Sequence, residues 1–158
     1  MLIALLAILA WYAGLAVLAA IGTVTISRLR FSARFEQIFF ALILIPIAGM
    51  YLVFEAYFDN GAAFRTELYA VLCFAALGLA GLRLPSLLIL GYVLHGAWDL
   101  AHEISAQISP SSGLLGNFTA IPLAYGVFCA TFDWAMGAYF VTRLAAWREA
   151  RNLPGPVS

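Results

Sequence analysis

The sequence predicts an all-α fold, a polytopic membrane helical bundle with five transmembrane helices in a single domain over residues 1–158, the amino terminus outside and the carboxy terminus cytoplasmic. Three observations predict it. First, 65% of the residues are hydrophobic and only 10% charged, where a typical soluble domain has about 25% charged residues; mean hydropathy is +0.98. Second, the apolar residues gather into five runs near the length of ~20 residues that crosses a bilayer as a helix, parted by short polar or Pro/Gly-bearing connections. Third, the arginines are placed asymmetrically. With five spans and an outer amino terminus, the inner segments collect Arg28, Arg30, Arg34, Arg83, Arg143, Arg148 and Arg151, and the outer ones hold Arg65 alone, a positive-inside pattern. The formal net charge of zero gives no reason to expect nucleic acid as a partner.

The elements follow in order. Residues 2–25 read as a transmembrane helix rather than a signal peptide, because no basic residue precedes them and no small-residue cleavage site leads into a soluble domain. The second helix covers 37–58; Pro46 in its interior should kink it, as membrane helices tolerate. Asn60-Gly61 marks a turn. The third helix, 67–82, carries small residues (Ala76, Gly78, Ala80, Gly81) that permit close approach of a neighbour. After the Arg83-Leu84-Pro85 turn, the fourth helix covers 86–105. Residues 106–118 form the longest loop; Leu114, Leu115 and Phe118 can dip as a lid, although an ordinary surface connection is the plainer reading. Asn117-Phe118-Thr119 matches a glycosylation sequon beside the membrane and carries little weight. The fifth helix covers 119–144, with Gly126, Cys129 and Gly137 on the face of Asp133, and the tail should continue it until Pro154. Cys73 and Cys129 read as buried packing residues, Trp11 and Trp147 as interface anchors, and Arg83 and Arg143 as topology residues.

The chemistry concentrates in His95-Gly96-Ala97-Trp98-Asp99-Leu100-Ala101-His102-Glu103. On a helix, His95, Asp99, His102 and Glu103 share one face within an arc of about 100°. A charge near the bilayer centre costs about 2.5–3.5 kcal/mol on insertion scales, so it seldom persists without a partner or a task. At a rise of about 1.5 Å per residue, Asp133 comes level with His95, and Glu55 level with His102. The candidate site is therefore His95, Asp99 and Asp133 as acid–base residues, with His102 and Glu55 joining them if a metal is held. Such a set suits Zn, Mn or Fe. The His95–Asp99 pair can equally be a dyad that fixes the imidazole tautomer, or part of a structural cluster joining helices. Trp98 and Trp134 neighbour the site acids and would wall a pocket. Glu103, Asp59 and Glu67, at helix ends, are expected to be solvated or capping.

These positions resemble an uncharacterised family of small bacterial integral membrane proteins, a domain of unknown function. The resemblance rests on a basic turn, Glu55 late in the next helix, the His95-x3-Asp99-x2-His102 segment with Trp98 before the Asp, and Asp133 in the last helix. It covers about Arg28 to Arg143 and implies a multi-pass protein of the cell membrane, here a bacterial inner membrane, but no known activity. Where that family carries a further histidine after the last one, this chain has Glu103, so no fixed ligand set is implied. His95-x3-Asp99 also faintly resembles one motif of the intramembrane CAAX-type proteases, whose Glu-Glu motif with a following Arg is absent.

The function expected is a small membrane enzyme, metal-assisted or acid–base, acting on a lipid or isoprenoid-like substrate that enters from the bilayer. A proton- or cation-handling carrier or channel is the alternative, and an accessory subunit of a membrane complex the third. The partners expected are membrane lipids, a lipophilic substrate and further copies of the chain, since small-residue faces support homo-oligomers.

Overall fold

The computed structural model describes residues 2–58, 61–108 and 118–152. The described residues form five α-helices: α1 Leu2–Arg30, α2 Ala33–Phe58, α3 Phe64–Gly81, α4 Pro85–Ile108 and α5 Tyr125–Asn152. The helix number agrees with the sequence reading, while the ends differ. α1 runs on through the arginines, and α2 starts before Gln37, because nothing between Thr25 and Gln37 breaks a helix apart from the short turn at Phe31-Ser32. The Ser32 hydroxyl accepts the Phe35 N–H at 3.3 Å, a cap of the usual kind. Pro46 does not interrupt α2.

The largest difference lies at α5, which begins at Tyr125 rather than Thr119 and continues to Asn152. Residues 118–122 are irregular, and Ala124 has φ 62°. A non-glycine residue in this left-handed region costs about 1–3 kcal/mol and must be held by its surroundings. The holding group is described below. The expectations for Asp59, Asn60, Leu114, Leu115, Asn117 and Pro154 fall outside the described residues.

α1, α2 and α3 are long and apolar enough to cross a membrane by length and composition. The sequence reading counted five such spans. α4 and α5 have the length, at 24 and 28 residues, but their apolar character is diluted by His95, Asp99, His102 and Glu103 on one and by Asp133 and the terminal charges on the other.

α4 packs chiefly on α5 and also on α3; α2 packs on α3 and touches α4 and α5; α1 leans on α5 from the periphery. Two glycines set the closest approaches. A Cβ on Gly78 of α3 would strike the Ala41 carbonyl of α2, and one on Gly126 of α5 would strike the Asp99 carbonyl and the Glu103 Cβ of α4. The core comprises Phe40, Leu44, Leu88, Tyr92, Met136 and Phe140 with their neighbours, each at most 2% exposed. Outward, α1 presents Leu6, Trp11, Leu18 and Ile21, and α4 presents Leu90, Val93 and Leu94. The apolar residues thus face both inward and outward, as expected where the surroundings are themselves apolar.

Candidate functional site

The buried polar residues of the bundle gather mainly into two layers. The first is centred on α4. His95 (1% exposed), Asp99 (0%) and His102 (1%) lie on its inner face, as the helical arc requires, and Asp133 (1%) meets them from α5. His95 Nδ1 lies 2.6 Å from Asp133 Oδ2 and 3.2 Å from Asp99 Oδ2. An acceptor on each side fixes the tautomer: Nδ1 carries the proton and donates it to Asp133. His95 Nε2 is buried and has no hydrogen-bond partner among the described residues. The ring is fixed from the side by Phe74 of α3, edge-on with ring centroids 4.8 Å apart.

Asp99 has a second partner that the sequence reading missed. The Tyr51 hydroxyl of α2 donates to Asp99 Oδ1. The Tyr51 ring also lies against His102, centroids 4.1 Å apart. One side chain thereby joins the two histidines. Its signal was faint: Tyr51 stands four residues before Glu55, on the same α2 face.

His102 forms a second dyad. Its Nδ1 donates to the Trp98 carbonyl at 3.0 Å, since a carbonyl only accepts. Its Nε2 lies 2.8 Å from Glu67 Oε1, and a proton shared between the two groups must make this contact. Glu67 Oε1 also accepts the Thr119 N–H at 3.0 Å. The expectation that Glu67 is solvated or capping is corrected: it is 0% exposed and is bonded to His102 and the Thr119 N–H. Although it stands in the first turn of α3, the chain re-entering at Thr119 covers it. Trp98 and Phe118 close on His102, with ring centroids at 5.3 and 4.5 Å.

Glu103, expected to be solvated or capping, is not solvated: it is a buried clasp, 3% exposed, that caps the start of α5. Its Oε1 accepts the Ala124 N–H at 3.3 Å and its Oε2 the Gly126 N–H at 3.1 Å. The carboxylate satisfies backbone donors that a helix start leaves free, and it holds Ala124 in its left-handed conformation.

The second layer surrounds Glu36, which sequence reasoning passed over. Glu36 is 0% exposed. It accepts hydrogen bonds from Ser27 Oγ (3.1 Å), Tyr139 Oη (2.5 Å), Arg143 Nε (2.7 Å) and Trp147 Nε1 (2.9 Å). Tyr139, Arg143 and Trp147, spaced by four along α5, form one stripe, which is the signal that could have found it. Two expectations change here. Trp147 is fully buried rather than an interface anchor, and Arg143 is an ion-pair partner rather than only a topology residue. Arg83 does stay exposed, its carbonyl accepting from Arg151.

Other placements follow. Glu55 is buried, but it makes no hydrogen bond or ion pair among the described residues. Trp134 is 42% exposed and donates to the Val93 carbonyl at 3.1 Å, packing on Gly96 rather than walling a pocket. Cys73 is exposed, not buried. It lies with Ala70, Phe74 and Leu77 of α3 and Leu94, Ala97 and Trp98 of α4 in an open apolar groove of about 640 Å³.

The five candidate ligands for Zn, Mn or Fe are thus divided. His95, Asp99 and Asp133 offer ligand atoms within 4.8 Å of one another, whereas His102 is taken by Glu67 and Glu55 stands apart. Neighbouring ligands of a tetrahedral site with bonds of ~2.0–2.1 Å lie roughly 3.3 Å apart. The 2.6 Å between His95 and Asp133 is a hydrogen-bond distance. The donor set suits a divalent metal, but the pair would have to open to admit one.

These features define an all-helical protein, three of whose helices suit a membrane, with a buried histidine–carboxylate centre. A family model described as a family of unknown function (DUF6010) matches residues 11–146, and the chain belongs to that family. No curated protein and no solved structure matches it.

Proposed function

We propose that the chain is a small integral membrane enzyme that uses His95 as an acid–base residue on a lipid or isoprenoid-like substrate entering from the bilayer. One observation carries this reading. Nδ1 of His95 is bonded to Asp133 and flanked by Asp99, while Nε2 is buried without a partner among the described residues. Carboxylates behind an imidazole fix its tautomer and stabilise its protonated form, leaving the far nitrogen to take and return a proton. Asp133 would be the orienting acid, Asp99 the second, and Tyr51 the group that holds Asp99.

Supporting the membrane placement, His95, Asp99, His102 and Glu103 of α4 and Asp133 of α5 are turned inward, and the outer faces of the two helices carry Leu90, Val93, Leu94 and Val141. On this reading all five helices cross the cell membrane, and the arginine pattern puts the amino terminus outside.

A through-membrane proton path is disfavoured by the apolar layer between the two polar ones. Glu36 and Tyr51 are separated by about 22 Å along α2. Phe40, Leu44, Leu88, Met136 and Phe140 fill the space between, and Tyr92, which packs among them, spends its hydroxyl on the Phe40 carbonyl at 3.1 Å. Glu67, His102, Tyr51, Asp99, His95 and Asp133 form a chain on one side of this layer. A metal-assisted variant of the enzyme is favoured by one observation, the convergence of three ligand atoms within 4.8 Å; there a divalent ion would polarise the substrate or a bound water.

The test is to incubate purified protein in lipid discs with a total membrane lipid extract and compare lipids by mass spectrometry, beside His95→Gln and Asp133→Asn. A lipid consumed by wild type and by neither variant is the expected result. No His95-dependent change would refute the enzymatic reading. Elemental analysis of the same samples separates the variants. About one Zn, Mn or Fe per chain, lost in both substitutions, favours the metal; activity in metal-free protein favours acid–base work alone.

A further inference from the structure

We infer that Arg34, Arg83 and Arg151 form a binding site for one anionic phosphate group, at the end of the bundle where α3 turns into α4. The three arginines come from three elements. Arg34, at the start of α2, donates through Nη1 to the Leu82 carbonyl at 3.0 Å. Arg151, in the last turn of α5, donates through Nη1 to the Arg83 carbonyl. Arg83 stands in the turn itself; it and Arg151 are exposed, and Arg34 is half-buried.

Helical spacing brings α5 to this place. Arg151 continues the stripe of Tyr139, Arg143 and Trp147, each four residues on, so the face that meets Glu36 also meets the turn. Leu82 and Arg83 are consecutive, with Cα atoms about 3.8 Å apart. The guanidinium groups held on their carbonyls therefore lie within roughly 10 Å of each other. That is about one Debye length at 0.1 M salt, so their repulsion is only partly screened.

No carboxylate answers these charges among the described residues. The one arginine–carboxylate pair there is Arg143 with Glu36. Glu149, two residues before Arg151, falls about 160° away round α5. The end of α3 draws cations, but a helix C terminus carries only about half a negative charge, and Gln37 already takes its Gly81 carbonyl at 2.7 Å. Arg34 and Arg151 bond through Nη1 alone, which leaves Nε and Nη2 of each without a partner among the described residues. A positive-inside bias accounts for arginines at one end, but not for three converging on one turn. Guanidinium forks match the oxygens of a phosphate, whose charge of about −1.5 to −2 as a monoester offsets most of theirs. On the membrane reading above, this end lies among lipid headgroups, so the phosphate belongs to a headgroup or to a free phosphoester.

The test is native mass spectrometry of the full chain in neutral detergent, with phosphatidic acid, phosphatidylcholine or inorganic phosphate added. One phosphatidic acid per chain should be retained, with a Kd at least about tenfold below that of phosphatidylcholine. Arg34→Gln, Arg83→Gln and Arg151→Gln should each weaken it about tenfold, the worth of one charge-assisted hydrogen bond. Arg28→Gln, an exposed arginine on α1, should leave it unchanged. The Arg83 side chain makes no hydrogen bond or ion pair among the described residues, so a loss in Arg83→Gln is not a folding defect. Displacement of the lipid by inorganic phosphate at similar concentration would assign the site to free phosphoesters, and failure to displace it to a lipid headgroup. Equal retention of phosphatidylcholine would overturn the inference. So would an equal loss in Arg28→Gln, the mark of a diffuse positive surface, or full binding in Arg83→Gln and Arg151→Gln together.

Discussion

Glu36→Ala tests whether the polar layer near the start of α2 is a structural clamp. The carboxylate ties the end of α1 through Ser27 and the last turns of α5 through Tyr139, Arg143 and Trp147. Removing it leaves the Trp147 N–H buried with no acceptor, at about 1–3 kcal/mol. Losing one partner of a fully buried ion pair costs about 3–5 kcal/mol. The Arg143 side chain is 16% exposed and can partly turn to water, so its share falls below that range. Together the loss should be about 3–4 kcal/mol. Glu36→Gln keeps an acceptor for the indole and the phenol but gives up the charge, and should cost about half as much. The assay is reversible unfolding in mixed detergent micelles, followed by tryptophan fluorescence. Adding Arg143→Gln closes a double-mutant cycle with Glu36→Gln, whose coupling should be about 1–3 kcal/mol. A loss below ~1 kcal/mol for Glu36→Ala, or a coupling near zero, would refute the argument that these bonds hold α1, α2 and α5 together.

Three further outcomes follow from the same geometry. Tyr51→Phe removes the donor to Asp99 and keeps the ring over His102; the chain has two histidines, so ¹⁵N-histidine NMR should show the His95 nitrogens moving and those of His102 nearly still, with stability down by about 1–3 kcal/mol. Glu103→Leu leaves the Ala124 and Gly126 N–H groups without their acceptor and should lower stability by about 2–4 kcal/mol, while faster hydrogen exchange confined to the start of α5 would separate this from general unfolding. Gly126→Ala places a methyl against the Asp99 carbonyl, so it should part α4 from α5 at about 1–3 kcal/mol and shift the His95 resonances; an unchanged spectrum would show that the contact yields without moving His95 from Asp133.

What the sequence by itself determined is local. Apolar runs of spanning length specify helices, and the spacing of His95, Asp99, His102 and Glu103 puts them on one face, because 3.6 residues per turn is a property of the backbone and not of its neighbours. Depth could be counted along each helix as well, which is why Asp133 was matched to His95. The tertiary structure decided which partner each polar group meets. Counting residues fixes a level along an axis, whereas a hydrogen bond also depends on rotation about that axis and on where the chain re-enters. Thus Tyr51 rather than Glu55 reaches Asp99, and Glu67, in the first turn of its helix and nominally at the surface, is sealed under Thr119 and paired with His102. Trp147 shows the same limit. Its place near the chain end suited an interface anchor, but the pairing of α5 with the start of α2 turned its indole onto Glu36. A buried carboxylate takes the donors the fold brings to it, and those come from helices far apart in sequence.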